Sequence, residues 1–138
     1  TKLGVKILGD FGQYEGKNFG FFGKLKSKMS FMKFKDLVNR VFSTKSQFEA
    51  GGKLMIETVA FVSGGGRTYL EEAIDRGIDV YLSGETNESV PALCQEGEMN
   101  FIAAGHYNTE KFGVMTLGEV LEKKFKVKTE FIDVPNSL

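Results

Sequence analysis

The sequence predicts an α/β fold: a mixed, largely parallel sheet built from repeated strand–loop–helix units. Three observations carry this. The runs "TVAFV" (58–62), "DVYLS" (79–83) and "NFIAA" (100–104) are short and almost continuously apolar, the pattern of strands buried on both faces. Each is followed by a polar, glycine-containing stretch: "SGGG", "GETN" and "GHYNTE". Each stretch leads into helical apolar spacing, and crossover helices between successive strands imply parallel pairing.

The elements follow in order. "GVKIL" and "FGFFGKLK" read as short strands with a glycine-marked turn region between them. "FMKFKDLVNRVF" places apolar residues at 34, 37, 38, 41 and 42, which is helical spacing, with Ser30 as the N-cap. "STKSQFEAGGK" reads as a short strand and a turn. After the 58–62 strand, "RTYLEEAIDRG" is a helix ended by Gly77. "SVPALCQEG" is a helix with Pro91 in its first turn, where a missing N–H costs nothing. A helix opening at Asn108 or Thr109 runs to about Phe125. "KVKTEFIDV" alternates as a final edge strand would, and Pro135 ends it.

The chain of 138 residues, 41% apolar, is one domain's worth with enough apolar content for a core. No run is long enough to cross a bilayer, and no signal peptide opens the chain. A single cysteine, Cys94, excludes an internal disulfide and fits a reducing, cytoplasmic setting. Thr1 in place of Met reads as a processed or truncated piece. Net charge is zero, yet residues 1–53 carry eleven basic and four acidic residues, and residues 54–138 seven basic and fourteen acidic. Such asymmetry marks a nucleic-acid or partner surface in some proteins and plain solvation of two faces in more.

In a sheet of this kind the strand-to-helix loops emerge at the carboxyl edge, where open α/β sheets hold their ligands. Ser63–Gly66, Ser83–Asn87 and Gly105–Glu110 therefore converge, bringing a glycine run, Glu85, His106 and Glu110 to one rim. His106 is the only histidine, and Glu110 lies four residues beyond it. Imidazole nitrogen and carboxylate oxygen both ligate Zn, Fe or Mn. On spacing alone the ordinary reading has the better claim: a helix-start carboxylate favoured by the dipole, and a loop histidine. Glu85 reads as a third ligand, an orienter of His106, a general base for metal-bound water, or a solvated loop acid. The glycine run offers amides to an anion or simply a tight turn, and it lacks the lysine of a P-loop. "KNFGFFGK" (17–24) partly echoes an RNA-recognition strand, but Asn18 and Lys24 break the match, and Phe19, Phe21 and Phe22 read as core.

The stretches "AFVSGGGRTYLEEAIDRGIDVYLSGE", "FIAAGHYNTEKFGVMTLGEVL" and "TEFIDVPN" strongly resemble the C-terminal half of the Nif-three-like dinuclear metal-centre proteins, the GTP cyclohydrolase I type 2 homologues. The resemblance runs from about Thr58 to Asn136, with GHxxTE as its hallmark. It implies half of a two-lobed fold, with two divalent metal ions (Zn, Fe or Mn) in the cleft between lobes. Residues 1–53 would be the variable basic segment and 54–138 the metal-site half. His106 and Glu110 are then metal ligands, and Glu85 matches the acid of its loop and is the candidate catalytic residue. The family's other ligands, a His–His pair and a further acid, come from an N-terminal half. With no second histidine, this chain is expected to lack that half. Many relatives also carry a histidine on the helix after the Glu85 loop; "NESVPALCQEG" has none.

The function expected is that of a metal-binding, hydrolase-type enzyme acting on an unknown small molecule. The alternatives are a non-enzymatic metal-binding regulatory protein and a nucleic-acid module using the basic segment. The resemblance also implies a ring-shaped homo-oligomer, a hexamer being one candidate size; from the lack of a spanning apolar run no membrane partner is expected.

Overall fold

The computed structural model describes residues 1–134. Its elements are β1 (Val5–Tyr14), β2 (Lys17–Ser30), α1 (Phe31–Phe42), β3 (Gln47–Ala50), β4 (Met55–Val62), a 3₁₀ turn (Gly66–Tyr69), α2 (Leu70–Asp75), β5 (Val80–Ser83), α3 (Val90–Glu96), β6 (Asn100–Ala103) and α4 (His106–Phe125). The six strands form one mixed sheet in the order β1-β2-β4-β5-β6-β3. Parallel pairing is confined to β4-β5-β6, the three strands joined by crossover helices. β1-β2, β2-β4 and β3-β6 pair antiparallel.

The near-continuous apolar runs are explained by burial on both faces. Ile56, Val59, Val80, Leu82 and Ile102 face α1 and pack with its Phe31, Phe34, Val38 and Phe42. Ala60, Val62, Tyr81 and Phe101 face the other way, onto Leu70 and Ala73 of α2 and Val90 and Cys94 of α3. Alternate residues of one strand thus serve two cores, so no polar face remains to show in the sequence. α1 starts where expected: the Ser30 hydroxyl accepts the Lys33 N–H at 3.3 Å. Gly77 follows α2 at φ +62°, and its N–H donates to the Ile74 carbonyl at 2.9 Å. At the amino edge of β4 and β5, the Asp79 carboxylate accepts the Glu57 and Thr58 N–H groups, each at 2.9 Å, and the Lys53 ammonium at 2.7 Å.

Three expectations are corrected. α4 begins at His106, not at Asn108 or Thr109, because Gly105 at φ +91° turns the chain directly into the helix. "KVKTEFIDV" is not a strand. Lys126, left-handed at φ +56°, reverses the chain, and Thr129 then bonds Glu122 through its N–H at 2.9 Å and its hydroxyl at 3.1 Å. The tail is held to α4 instead of a sheet edge; Pro135 lies outside the described residues. Lastly, the three phenylalanines of "KNFGFFGK" are not all core. Phe21 packs on Phe61 and Phe22 lies under Arg76, but Phe19 is 54% exposed.

Candidate metal centre

The three predicted loops do converge. The Gly84 N–H donates to the Gly64 carbonyl at 3.0 Å, and the Gly105 N–H to the Gly84 carbonyl at 2.9 Å. Thr109, 5% exposed, completes the junction: its hydroxyl accepts the Gly64 N–H at 3.0 Å and lies 3.0 Å from the Gly105 carbonyl. Buried backbone groups must be paired, and here the partners of each loop are its neighbours. The Gly64 amide is thereby spent within the protein, so the glycine run serves close packing at this point. Thr109 was not singled out from sequence as a structural residue; the only signal was its place in GHxxTE.

With α4 starting at His106, His106 and Glu110 are one helical turn apart on one face. His106 Nε2 lies 3.2 Å from Glu110 Oε2, and His106 Nδ1 lies 2.5 Å from Glu85 Oε1. All three side chains are about half exposed. The Glu85 hydrogen bond raises the His106 pKa above its usual value; burial opposes this, and the negative charges of Glu110 and Glu85 add to the rise. Glu85 therefore holds a proton on Nδ1. Once the Nε2 proton leaves, its lone pair points toward Glu110. The arrangement is the carboxylate–histidine pair that orients a metal-ligating imidazole.

Gly64 completes the cradle. Its φ is +63°, and a β-carbon there would sit 2.3 Å from Glu110 Oε1 and 3.0 Å from His106 Nε2. The sequence places a residue without a side chain opposite the paired donors. The donor set fits a divalent transition metal in chemistry, one imidazole and one carboxylate, but not in number. Among the described residues no group of three or more His, Cys, Asp or Glu side chains is arranged to hold a metal ion. Glu85 cannot supply the third donor while it occupies the opposite nitrogen of the same ring. A metal site usually takes three or four protein ligands, so the described residues of this rim do not by themselves make up a complete one.

A fourth loop reaches the rim that the sequence reading missed. β3 runs antiparallel to β6 with Gln47 opposite Ala103, so the α1–β3 connection emerges at the carboxyl edge of β6. It brings Thr44, Lys45 and Gln47 to a pocket that His106, Glu85 and Asn108 also line.

Fold and rim together define an α/β protein that presents a histidine–carboxylate donor pair at the carboxyl edge of its sheet. The family model for Duf34/NIF3 (NGG1p interacting factor 3) matches residues 1–137, and the chain belongs to that family. A GTP cyclohydrolase 1 type 2 homolog of Archaeoglobus fulgidus is 33% identical over 137 residues, covering 99% of this chain and 54% of the relative. One of Pseudomonas aeruginosa is 43% identical over 81 residues, covering 59% of this chain and 32% of the relative. Among solved structures, protein ybgI, of unknown function, superposes with a TM-score of 0.91 at 25% identity, covering 99% of this chain and 54% of that one. TTHA1606 of Thermus thermophilus gives 0.81 at 29% identity, with 99% and 53% covered. The chain thus spans about half the length of the relatives it matches along its whole course.

Proposed function

We propose that His106 and Glu110 are one wall of a dinuclear site for divalent transition metals, Zn, Fe or Mn, and that the complete protein is a metal-dependent hydrolase-type enzyme. One observation carries the reading: Nε2 of His106 and the Glu110 carboxylate meet opposite a glycine that leaves room, while Glu85 holds Nδ1. Bound there, a metal pair supplies Lewis-acid polarisation and an acidified water. His106 contributes a neutral nitrogen donor and Glu110 a negative oxygen donor. Glu85 sets the tautomer and orientation of His106, which makes it a positioning residue before it is a general base. The remaining donors would come from the half of the relatives' length that this chain does not span. The cyclohydrolase name belongs to the relatives and supports hydrolysis of a small molecule only by kinship.

The test is metal analysis of the complete native protein: about two transition-metal ions per chain are expected. His106→Ala should lower that content sharply, and unchanged content would sink the assignment. Hydrolysis of a phosphoester that survives chelation would count against the enzyme reading.

A second reading, a non-enzymatic metal-binding protein that acts within a ring of its own copies, draws on α4. Thr109 is the only residue of that helix that is buried, and Val114, Leu117 and Val120 are 50% or more exposed. Native mass spectrometry together with absence of turnover in metal-loaded protein would favour it. The nucleic-acid reading has less support, since Phe21 and Phe22 are engaged within the protein.

A further inference from the structure

The pocket at the fourth loop adjoins the candidate metal wall and shares His106 and Glu85 with it, but its other lining residues have no part in the metal reading. It has a volume of about 520 Å³, within the range of small-molecule sites. Lys45, Gln47, Thr86 and Asn108 line it beside His106 and Glu85. Lys45 is the only cation on its wall, and among the described residues no carboxylate pairs with it. The only carboxylate on the wall, Glu85, is committed to His106 Nδ1 at 2.5 Å. Thr44, Gln47, Thr86 and Asn108 add hydroxyl and amide groups, each able to donate to an oxyanion as well as to accept.

The loop that carries Lys45 is held in place. Ser43 ends α1 in the left-handed conformation at φ +53°. The Thr44 N–H then donates to the Asn39 carbonyl at 3.0 Å, and the Ser46 N–H to Asn39 Oδ1 at 2.9 Å. Asn39 thus pins the backbone on both sides of Lys45. On the far side, the pairing of Gln47 with Ala103 fixes the loop to the strand that leads into His106. An unpaired ammonium on a pinned backbone, with hydroxyl and amide groups able to donate around it, favours an oxyanion over a cationic guest.

We propose that this pocket seats the phosphate group of a small-molecule substrate, with Lys45 as its counter-charge, beside the candidate metal wall. That the guest is a substrate rests on the hydrolase reading above; that the pocket takes a phosphate does not. Asn39 is a positioning residue for Lys45.

The experiment measures binding of inorganic phosphate, AMP and adenosine to the full-length native protein by calorimetry, with metal content determined on the same samples. Phosphate and AMP should bind and adenosine should not. Lys45→Ala should raise both dissociation constants by at least about tenfold. Lys45→Arg should recover most of the affinity, and metal content should not change in either variant. Asn39→Ala should weaken binding less than Lys45→Ala does. AMP binding much tighter than inorganic phosphate assigns the pocket to a nucleotide-like phosphoester; equal affinities assign it to the free anion. No phosphate binding, affinity indifferent to Lys45→Ala, or adenosine binding as tightly as AMP overturns the proposal. Lys45-dependent phosphate binding in a protein that holds no metal would uphold the pocket and sink the metal reading. Metal loss in His106→Ala beside Lys45-independent phosphate binding would do the reverse.

Discussion

Gly64→Ala, compared with Gly77→Ala, separates backbone strain from damage to the candidate site. Both glycines hold nearly the same left-handed conformation, φ +63° and +62°. An alanine in that conformation costs roughly 1–2 kcal/mol. Around Gly77 an added β-carbon meets nothing within 4 Å, so strain is the whole cost there. At Gly64 the same carbon falls 2.3 Å from Glu110 Oε1 and 3.0 Å from His106 Nε2. The Glu110 carboxylate is the far end of a flexible, half-exposed side chain, so it swings away cheaply. The fold therefore loses about the same 1–2 kcal/mol in both variants, a few degrees in melting temperature for a chain of this size. The donors do not survive equally, because relieving the clash moves Glu110 away from His106. Urea unfolding of the metal-free proteins, paired with zinc or manganese titration, checks both parts. Similar destabilisation is expected, with metal affinity reduced about tenfold or more only in Gly64→Ala. Wild-type metal affinity in Gly64→Ala would refute the claim that this glycine leaves space for the donor pair.

Other expectations follow from the same geometry. Burial disfavours ionisation of Asp79, yet hydrogen bonds from Lys53, Thr58 and Glu57 outweigh it and hold its pKa at about 2, against 3.8 ordinarily. The stability it contributes is complete above pH 3.8 and is lost as pH falls toward 2. Asp79→Asn should cost about 1–2 kcal/mol at neutral pH, discounted because Lys53 is solvated, and the gap to wild type should close below about pH 4. Equal gaps at pH 7 and pH 3 in urea titrations would contradict this. Glu85→Ala should weaken metal binding about 10–100-fold by freeing the imidazole, and Glu85→Gln, which still accepts from Nδ1, should do less harm. If Glu85→Gln abolishes turnover with metal affinity intact, Glu85 is a general base instead. Ser30→Ala removes the cap of α1 and should cost about 0.5–1 kcal/mol by thermal unfolding, the 3.3 Å bond pointing to the low end. Cys94 is fully buried, which pushes its thiol up to about 12 with a smaller push from Glu49, so it should react with a thiol reagent only as fast as the protein opens.

The sequence by itself determined the strand–loop–helix repeat and the rim. The runs at 58–62, 79–83 and 100–104 are buried on both faces, so their apolar continuity survives any detail of packing. Parallel order then follows from the helices between them, and with it the common edge carrying Glu85, His106 and Glu110. It also marked Ser30 and Gly77, because cap chemistry is local.

Tertiary structure alone decided the rest. Whether "KVKTEFIDV" is a strand depends on where α4 ends, since alternation has no meaning without an edge to pair with; Glu122 offered bonds there first. The start of α4 turned on a backbone angle at Gly105 that no periodicity encodes. The assignment of Glu85 to Nδ1 and Glu110 to Nε2 is a matter of ring orientation, and sequence reasoning could only leave its roles open. Lys45 was invisible as a site residue for the same reason. It lies sixty-one positions before His106, and it joins the rim because β3 pairs antiparallel to β6. Local propensity shapes the elements, but the direction in which a strand docks is set by long-range pairing, and that choice brought Lys45 to the pocket beside His106.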